Sequence, residues 1–438
     1  MTATFVSLAA QNVQFHWSIV REQRGKVKVN CVGQQQCQIC WNRSIVVLVK
    51  KKEILLNHFT FLFRSSCIMG LLQVLEPDQS LQKGTWYALV PRGESPGVRV
   101  GHTCTYLPST ADNQGKGKIL IVGGANPNGS FSDSHIIDLD THEWDIPEWE
   151  GLLPRYEHTS FVPECSPNSL WVFGGAEQSG NRNCIQVLNL DTGTWRSVTV
   201  RGTPPSARTY HTCTASIGDK LYVFGGGDTG AQPVDDAKLH VFDAATLTWS
   251  QPDTQGKAPS PRHGHVIVAV GHKLYIHGGL AGDKFYSDLY CINTTDLKWE
   301  RVKVKGGAPA GCAAHSAVSL GKFIYISGGM DASGALNTMY KYHTEKQRWT
   351  LLKFEGLPAK RLDHSMCVIP WADPKASSPQ AACGDQEWKD SAQQAADSTE
   401  EEKSSSSSRG APVYLCFVFG GMDTEGGLYN DCIVTLLD

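Results

Sequence analysis

The stretch LYVFGG at residues 221–226 is an apolar run of strand length closed by a glycine pair, and the same form returns along the chain. It recurs as ILIVGG (119–124), LWVFGG (170–175), LYIHGG (274–279), IYISGG (324–329) and CFVFGG (416–421). The first glycines are Gly123, Gly174, Gly225, Gly278, Gly328 and Gly420, separated by 51, 51, 53, 50 and 92 residues. A fixed period of about 50 residues marks a chain built from stacked supersecondary units. The long last interval marks an insertion inside a sixth unit.

Working outward from the glycine pairs, Gly124, Gly175, Gly279 and Gly329 each precede a tryptophan (Trp144, Trp195, Trp299, Trp349) by 20 residues, and Gly226 precedes Trp249 by 23. Seven residues before each of these tryptophans stands an apolar residue: Ile137, Leu188, Phe242, Ile292 or Tyr342. Ahead of the pairs lies an Arg-x-x-His signal, as Arg99/His102, Arg155/His158, Arg208/His211, Arg262/His265 and Arg361/His364; in the fifth unit His315 follows Cys312 instead of an Arg. Each unit thus holds four strands, and four-stranded sheets repeated radially are the blades of a β-propeller. After Gly421 no tryptophan follows before Asp438, whereas Trp86 stands alone in TWYAL ahead of the first unit. The expected fold is all-β: a six-bladed propeller over residues 76–438, closed by the amino-terminal strand at Trp86 lying beside YNDCIV (429–434).

Composition agrees with a turn-rich β protein. The 438 residues are 41% hydrophobic and 19% charged and include 43 glycines, a share above the usual ~7%. Net charge is −3 without a dense basic stripe, so no nucleic-acid partner is expected. The charge is uneven: residues 1–75 carry +7, residues 372–412 carry −4, and the rest is mildly acidic. The 14 cysteines are scattered in a chain long enough to bury a core without disulfides, which points to a reducing compartment. Sequons at Asn42, Asn128 and Asn293 lack a convincing secretory signal ahead of them and read as chance matches.

The repeated residues read as architecture. A glycine pair at a strand end permits positive φ and close backbone approach; the Gly-x-x-x-x-Gly-Lys-Ser/Thr pattern of a phosphate loop is missing. The tryptophans read as wedges between blades. One histidine per blade cannot gather on a single ion, so neither a metal nor a cofactor is expected, and the arginines read as bridges between blades. Partner choice should lie in what does not repeat, namely the loops after the glycine pairs, all on one face of the ring. Phe131, Arg182, Phe285 and Tyr286 are the candidate partner-binding anchors there.

Two segments fall outside the ring. Residues 1–75 lack the repeat and form a non-propeller extension, expected to be poorly ordered; its Cys37/Cys40 spacing has no second pair to complete a zinc site. Residues 372–412 interrupt the sixth blade with an acidic, Ser-rich run ending TEEEKSSSSSRG, whose composition predicts disorder and offers Ser404 to Ser408 for phosphorylation.

The chain resembles the kelch family, through GGANPNGSFSD, LLPRYEH, FGGAEQSGNRNC, LHVFDAATLTWSQP, SPRHGH, HGGLAGDKFYSDL, APAGCAAHSAV, RLDHSMC and FGGMDTEGG. The likeness covers about residues 76–371 and 413–438, and within the family it is to Rab effectors of the late endosome. That resemblance implies a non-enzymatic cytoplasmic protein that binds a GTP-bound late-endosomal Rab GTPase. It would sit peripherally on late-endosome membranes through its partners and act in transport from endosome to trans-Golgi network, with a phosphoinositide kinase as a further partner. The alternative is a substrate adaptor for a ubiquitin ligase, a use of kelch rings that wants a dimerising helical domain which residues 1–75 are too short to form. Copper-oxidase and sialidase rings are a weaker likeness: only DTGTW (191–195) approaches a sialidase box, and its Asp is out of register.

Overall fold

The computed structural model describes residues 72–76, 79–109, 115–209, 215–228, 232–371 and 413–438, together with an antiparallel pairing of Ile19–Val20 with Lys28–Val29. Nearly all of the amino-terminal extension, with Cys37 and Cys40, therefore lies outside the described residues, as do the 372–412 insertion and His211.

Among the described residues six sheets repeat one plan. In the first blade Thr103–Leu107, Lys118–Val122, Ser134–Asp138 and Glu143–Asp145 lie side by side, antiparallel and in chain order. The second blade is Tyr156–Phe161, Ser169–Glu177, Ile185–Asn189 and Thr194–Ser197, and the third Ser216–Ile217, Lys220–Val223, His240–Asp243 and Thr248–Ser250. The fourth is Val266–Val270, Lys273–His277, Leu289–Asn293 and Lys298–Arg301, and the fifth Ser316–Leu320, Phe323–Ser327, Met339–His343 and Arg348–Leu351. The sixth takes Ser365–Trp371, Val413–Phe419 and Cys432–Leu437 from one end of the chain and Trp86–Leu89 from the other. Trp86 pairs with Thr435 and Leu89 with Cys432, so the expected closure by the amino-terminal strand is what the structure has.

The second strands are apolar without alternation because both of their faces are covered by neighbouring blades. Ile119, Leu120, Ile121 and Val122 are all fully buried. The core accordingly lies between blades: one apolar cluster joins the first and second, another the sixth and first, others the fourth and fifth and the fifth and sixth.

Each tryptophan pairs across the sheet with the apolar residue seven positions earlier, as Trp195 with Leu188 and Trp299 with Ile292. It then leans on the preceding blade. Trp144 meets Phe419, Trp249 meets Phe173, Trp299 meets Phe224 and Trp349 meets His277, with ring centroids 4.9–5.8 Å apart. Trp195 packs among Leu120 and Val122 of the first blade, and Trp86 lies 5.4 Å from Phe354.

The blades also have a feature that the repeat spacing does not announce. On its way in, the chain runs parallel to the outermost strand of the blade it is about to build, through Arg92/Glu143, Glu150/Thr194, Arg201/Thr248, Gln255/Lys298, Lys305/Arg348 and Gln73/Tyr87. A short parallel partner thereby covers part of every outer edge and blunts it against pairing with other chains.

Candidate interaction surface

The inner strands of all six blades line an axial cavity of about 430 Å³, through Thr103, Thr159, Ser216, Ala269, Val318 and Ser365 among others. At one mouth of this channel the residue before each described repeat histidine takes a left-handed backbone, with φ of 62° at Gly101, 52° at Glu157, 63° at Gly264, 56° at Ala314 and 53° at Asp363. That turn aims the amide at the preceding blade. Glu157 donates to the Gly101 carbonyl, Gly101 to Asp363, Asp363 to Ala314 and Ala314 to Gly264, at 2.6–3.0 Å. The belt crosses the junction of the first and sixth blades like any other.

The arginine side chains are buried and fully occupied, and their bonds lie within their own blades rather than forming the bridges between blades expected from the sequence. Arg262 donates through Nε to the Ser260 carbonyl, through Nη1 to the carbonyl of Gly278, and to the Asp288 carboxylate at 2.6 Å. Arg99 makes the same set with Gly97, Gly123 and Asp133, Arg208 with Ser206, Gly225 and Asp236, and Arg361 with Ala359, Gly420 and Asp431. In the second blade the amide oxygen of Gln186 replaces the carboxylate for Arg155.

The acid partners sit just before the third strands, in the pairs Ser132-Asp133, Asp235-Asp236, Ser287-Asp288 and Asn430-Asp431. They repeat in the sequence at offsets from the glycine pair that shift by one residue between blades. Burial works against an ionised Asp133, yet hydrogen bonds from His135 and Arg99 outweigh it and hold the carboxyl well below the usual range.

The described repeat histidines link blades. His102 Nε2 lies 3.2 Å from the Phe419 carbonyl and His265 Nε2 2.9 Å from that of Phe224, each reaching the strand end of the preceding blade. Burial pushes His102 down to about 3 and His158 well below its ordinary value.

The loops after the glycine pairs all join second to third strands, so strand alternation puts them on one face. The turns between first and second strands, including the anchors Trp371 and Val413 of the sixth-blade insertion, fall on the opposite face. Phe131, Arg182, Phe285 and Tyr286 are all half-buried on the loop face. Phe131 and Tyr286 cover buried arginines, Arg99 at 4.3 Å and Arg262 at 4.0 Å from the ring centroids, and Tyr429 covers Arg361 at 4.9 Å.

The backbones of three of these residues are repeat links as well. Phe131 donates to Gly124 and accepts from Arg155, Arg182 donates to Gly175 and accepts from Arg208, and Tyr286 donates to Gly279 and accepts from Cys312. Phe285 differs: it closes the hairpin of Leu280–Ala281 with Lys284–Phe285, beside Lys284 and Asp283, which are exposed.

This is the geometry of a kelch-type propeller, and the chain belongs to the kelch-repeat family. The family model of the KLHDC2/KLHL20/DRC7 Kelch-repeats domain matches residues 109–329 and, in a second alignment, 216–372. Among curated proteins the chain is similar to the Rab9 effector protein with kelch motifs of Bos taurus, 63% identical over 380 residues, covering 84% of this chain and 100% of that protein. It is similar in the same way to those of Homo sapiens, 62% identical over 374 residues with 84% and 100% covered, and Mus musculus, 58% identical over 378 residues with 85% and 98% covered.

Proposed function

We propose that this protein is a non-enzymatic Rab effector that binds the GTP-bound form of a late-endosomal Rab GTPase through the loop face of its propeller. The reading is carried by its likeness, over the whole or nearly the whole of their lengths, to proteins named Rab9 effectors. Two features of the ring support it. The recurring arginines and the histidines His102 and His265 make interactions that tie strands and blades together, and sequence variety is concentrated in loops that share one face, with Phe285 and Lys284 offered beside the fourth blade's glycine pair.

In this reading residues 76–438 are the binding module, with 372–412 an insertion in its sixth blade, and the end of the 1–75 extension, Gln73–Val74 and Leu75, packs on that blade. The protein is cytoplasmic, reaches the late-endosome membrane peripherally through its partners, and serves transport to the trans-Golgi network. A phosphoinositide kinase is a second partner in that setting.

Discrimination between nucleotide states requires the loop face to favour the switch segments as ordered by the γ-phosphate. A tenfold preference needs about 1.4 kcal/mol of differential affinity. The test is retention of the purified full-length chain on immobilised Rab9 loaded with a non-hydrolysable GTP analogue or with GDP. At least tenfold stronger retention on the first is expected, and equal retention on both overturns the proposal.

A further inference from the structure

Two departures from the repeat meet at one point. The residue before the glycine pair is Val122, Phe173, Phe224, Ser327 or Phe419 in five blades and His277 in the fourth. The position held by arginine in the other blades is Cys312 in the fifth, and Thr338 stands ten residues after Gly328, where Asp133 and Asp288 stand ten after Gly123 and Gly278. Both members of the buried ion pair are thus exchanged together. Because each repeat histidine reaches the strand end of the preceding blade, His315 of the fifth blade is carried onto His277 of the fourth, with Nε2 and Nδ1 3.1 Å apart. Cys312 Sγ lies 3.6 Å from His315 Nδ1. One donor atom from each of the three lies within 4.8 Å of the other two, and all three side chains are buried.

We propose that His277, Cys312 and His315 bind one soft metal ion at the junction of the fourth and fifth blades, Cu(I) in preference to Zn(II). Around an ion with metal–nitrogen bonds of about 2.0 Å and a metal–sulfur bond of about 2.3 Å, tetrahedral geometry sets nitrogens roughly 3.3 Å apart and nitrogen and sulfur roughly 3.6 Å apart. The His277 Nδ1–His315 Nε2 spacing already lies close to the first value, whereas Cys312 Sγ stands 3.6 Å from the other nitrogen of that ring, Nδ1, so binding requires the thiol or the His315 imidazole to turn until a single nitrogen serves the ion, within the 4.8 Å that separates the three donors. Two imidazoles and a thiolate suit copper or zinc and not magnesium or calcium.

Ligand number selects between the two. One thiolate and two neutral imidazoles cancel a monovalent ion, whereas Zn(II) calls for a fourth ligand. Of the other charges near the three ligands, Arg262 and Asp288 are paired with one another at 2.6 Å, and the Asp331 carboxylate acts on Cys312. On binding, the sulfur–metal bond forms as the Cys312 thiol gives its proton to solvent, and the contact between His277 and His315 gives way to two nitrogen–metal bonds.

The experiment is anaerobic titration of the purified, metal-stripped full-length protein with Cu(I) against bathocuproine disulfonate, with Zn(II) against a chromophoric zinc chelator in parallel. One equivalent of Cu(I) is expected, with X-ray absorption showing one sulfur and two nitrogens around the ion. Affinity should fall by more than roughly a hundredfold, beyond the usual effect of an outer-shell change, in Cys312→Ala and His277→Phe. It should survive in the double variant Cys37→Ala/Cys40→Ala. Melting temperatures of the metal-free variants establish that they are folded, and the wild-type absorption spectrum stands without them. Failure to compete with the chelator, an all-sulfur shell, undiminished binding in Cys312→Ala, or tighter binding of Zn(II) than Cu(I) each overturns the proposal.

Discussion

The hydroxyl of Thr435 donates a 2.8 Å hydrogen bond to the carbonyl of Thr85, 350 residues upstream, on the same pair of strands in which Thr435 faces Trp86. Ring closure therefore uses side-chain as well as backbone bonds. The indole of Trp86 is 2% exposed and wedges between the fifth and sixth blades.

Trp86→Ala removes that wedge and opens a cavity at the closing junction. The expected loss is about 3–5 kcal/mol of unfolding free energy, the range for a buried tryptophan. It is measured by urea denaturation of the purified protein, with the exposed Val90→Ala expected to change stability by less than about 0.5 kcal/mol.

The buried ion pairs should show strong coupling. Asp288→Thr leaves the Arg262 guanidinium, 1% exposed, without its carboxylate, at an expected cost of about 3–5 kcal/mol. The pair Arg262→Cys with Asp288→Thr copies the exchange found in the fifth blade and removes both charges. Its cost should fall short of the sum of the single variants by more than about 1 kcal/mol, and additive losses count against this account of the fifth blade.

Acid should weaken the fold before any carboxylate titrates. His102 and His277 are held down to about 3 and about 4, chiefly by burial, whereas an unfolded histidine titrates near its ordinary value of 6.5. Below pH 6.5 the unfolded chain binds protons that the folded one refuses, so this contribution to stability is complete above 6.5 and is lost as pH falls toward 4. Each such histidine contributes a slope of up to about 1.4 kcal/mol per pH unit. Melting temperature followed from pH 7 to 4.5 should decline, and His102→Gln should flatten the decline.

Gln347 holds a left-handed backbone at φ 51°, in the turn position that the second blade gives to Gly193 at φ 67°. Glycine adopts that conformation without a Cβ clash. Gln347→Gly should raise stability by up to about 1 kcal/mol, and Gln347→Val, whose branched side chain resists the same φ, should lower it. Thermal melts of the two variants give the signs.

The loop-face residues should separate by function. Tyr286→Ala uncovers Arg262 and should lower the melting temperature. Phe285→Ala should leave it within a degree or two of wild type while reducing retention on GTP-analogue-loaded Rab9. The reverse pattern moves the contact away from the fourth blade.

What could be read in advance follows the range of the interactions. The glycine pairs, the tryptophans and the cross-strand partner seven residues earlier are local, so their spacing displayed six blades, and the stranded Trp86 displayed the closure. The arginine partners lie 26 to 70 residues away at offsets that shift between blades, as Asp288 does from Arg262 and Asp431 from Arg361. His277 and Cys312 belong to different blades and meet only through the ring's register. The candidate anchors Phe131 and Tyr286 look like free loop aromatics in one dimension, and only their position over Arg99 and Arg262 gives them a second employment.

Because the sixth sheet draws Trp86–Leu89 from the start of the ring and Cys432–Leu437 from its end, a ribosome must make all five intervening blades before that sheet can form. Five blades have their own strands in hand as they emerge, while the earliest strand waits with an open edge for the last. A premature stop within Cys432–Leu437 would leave that edge permanently unmatched, making the translation of this strand a checkpoint on whether a chain becomes a ring at all.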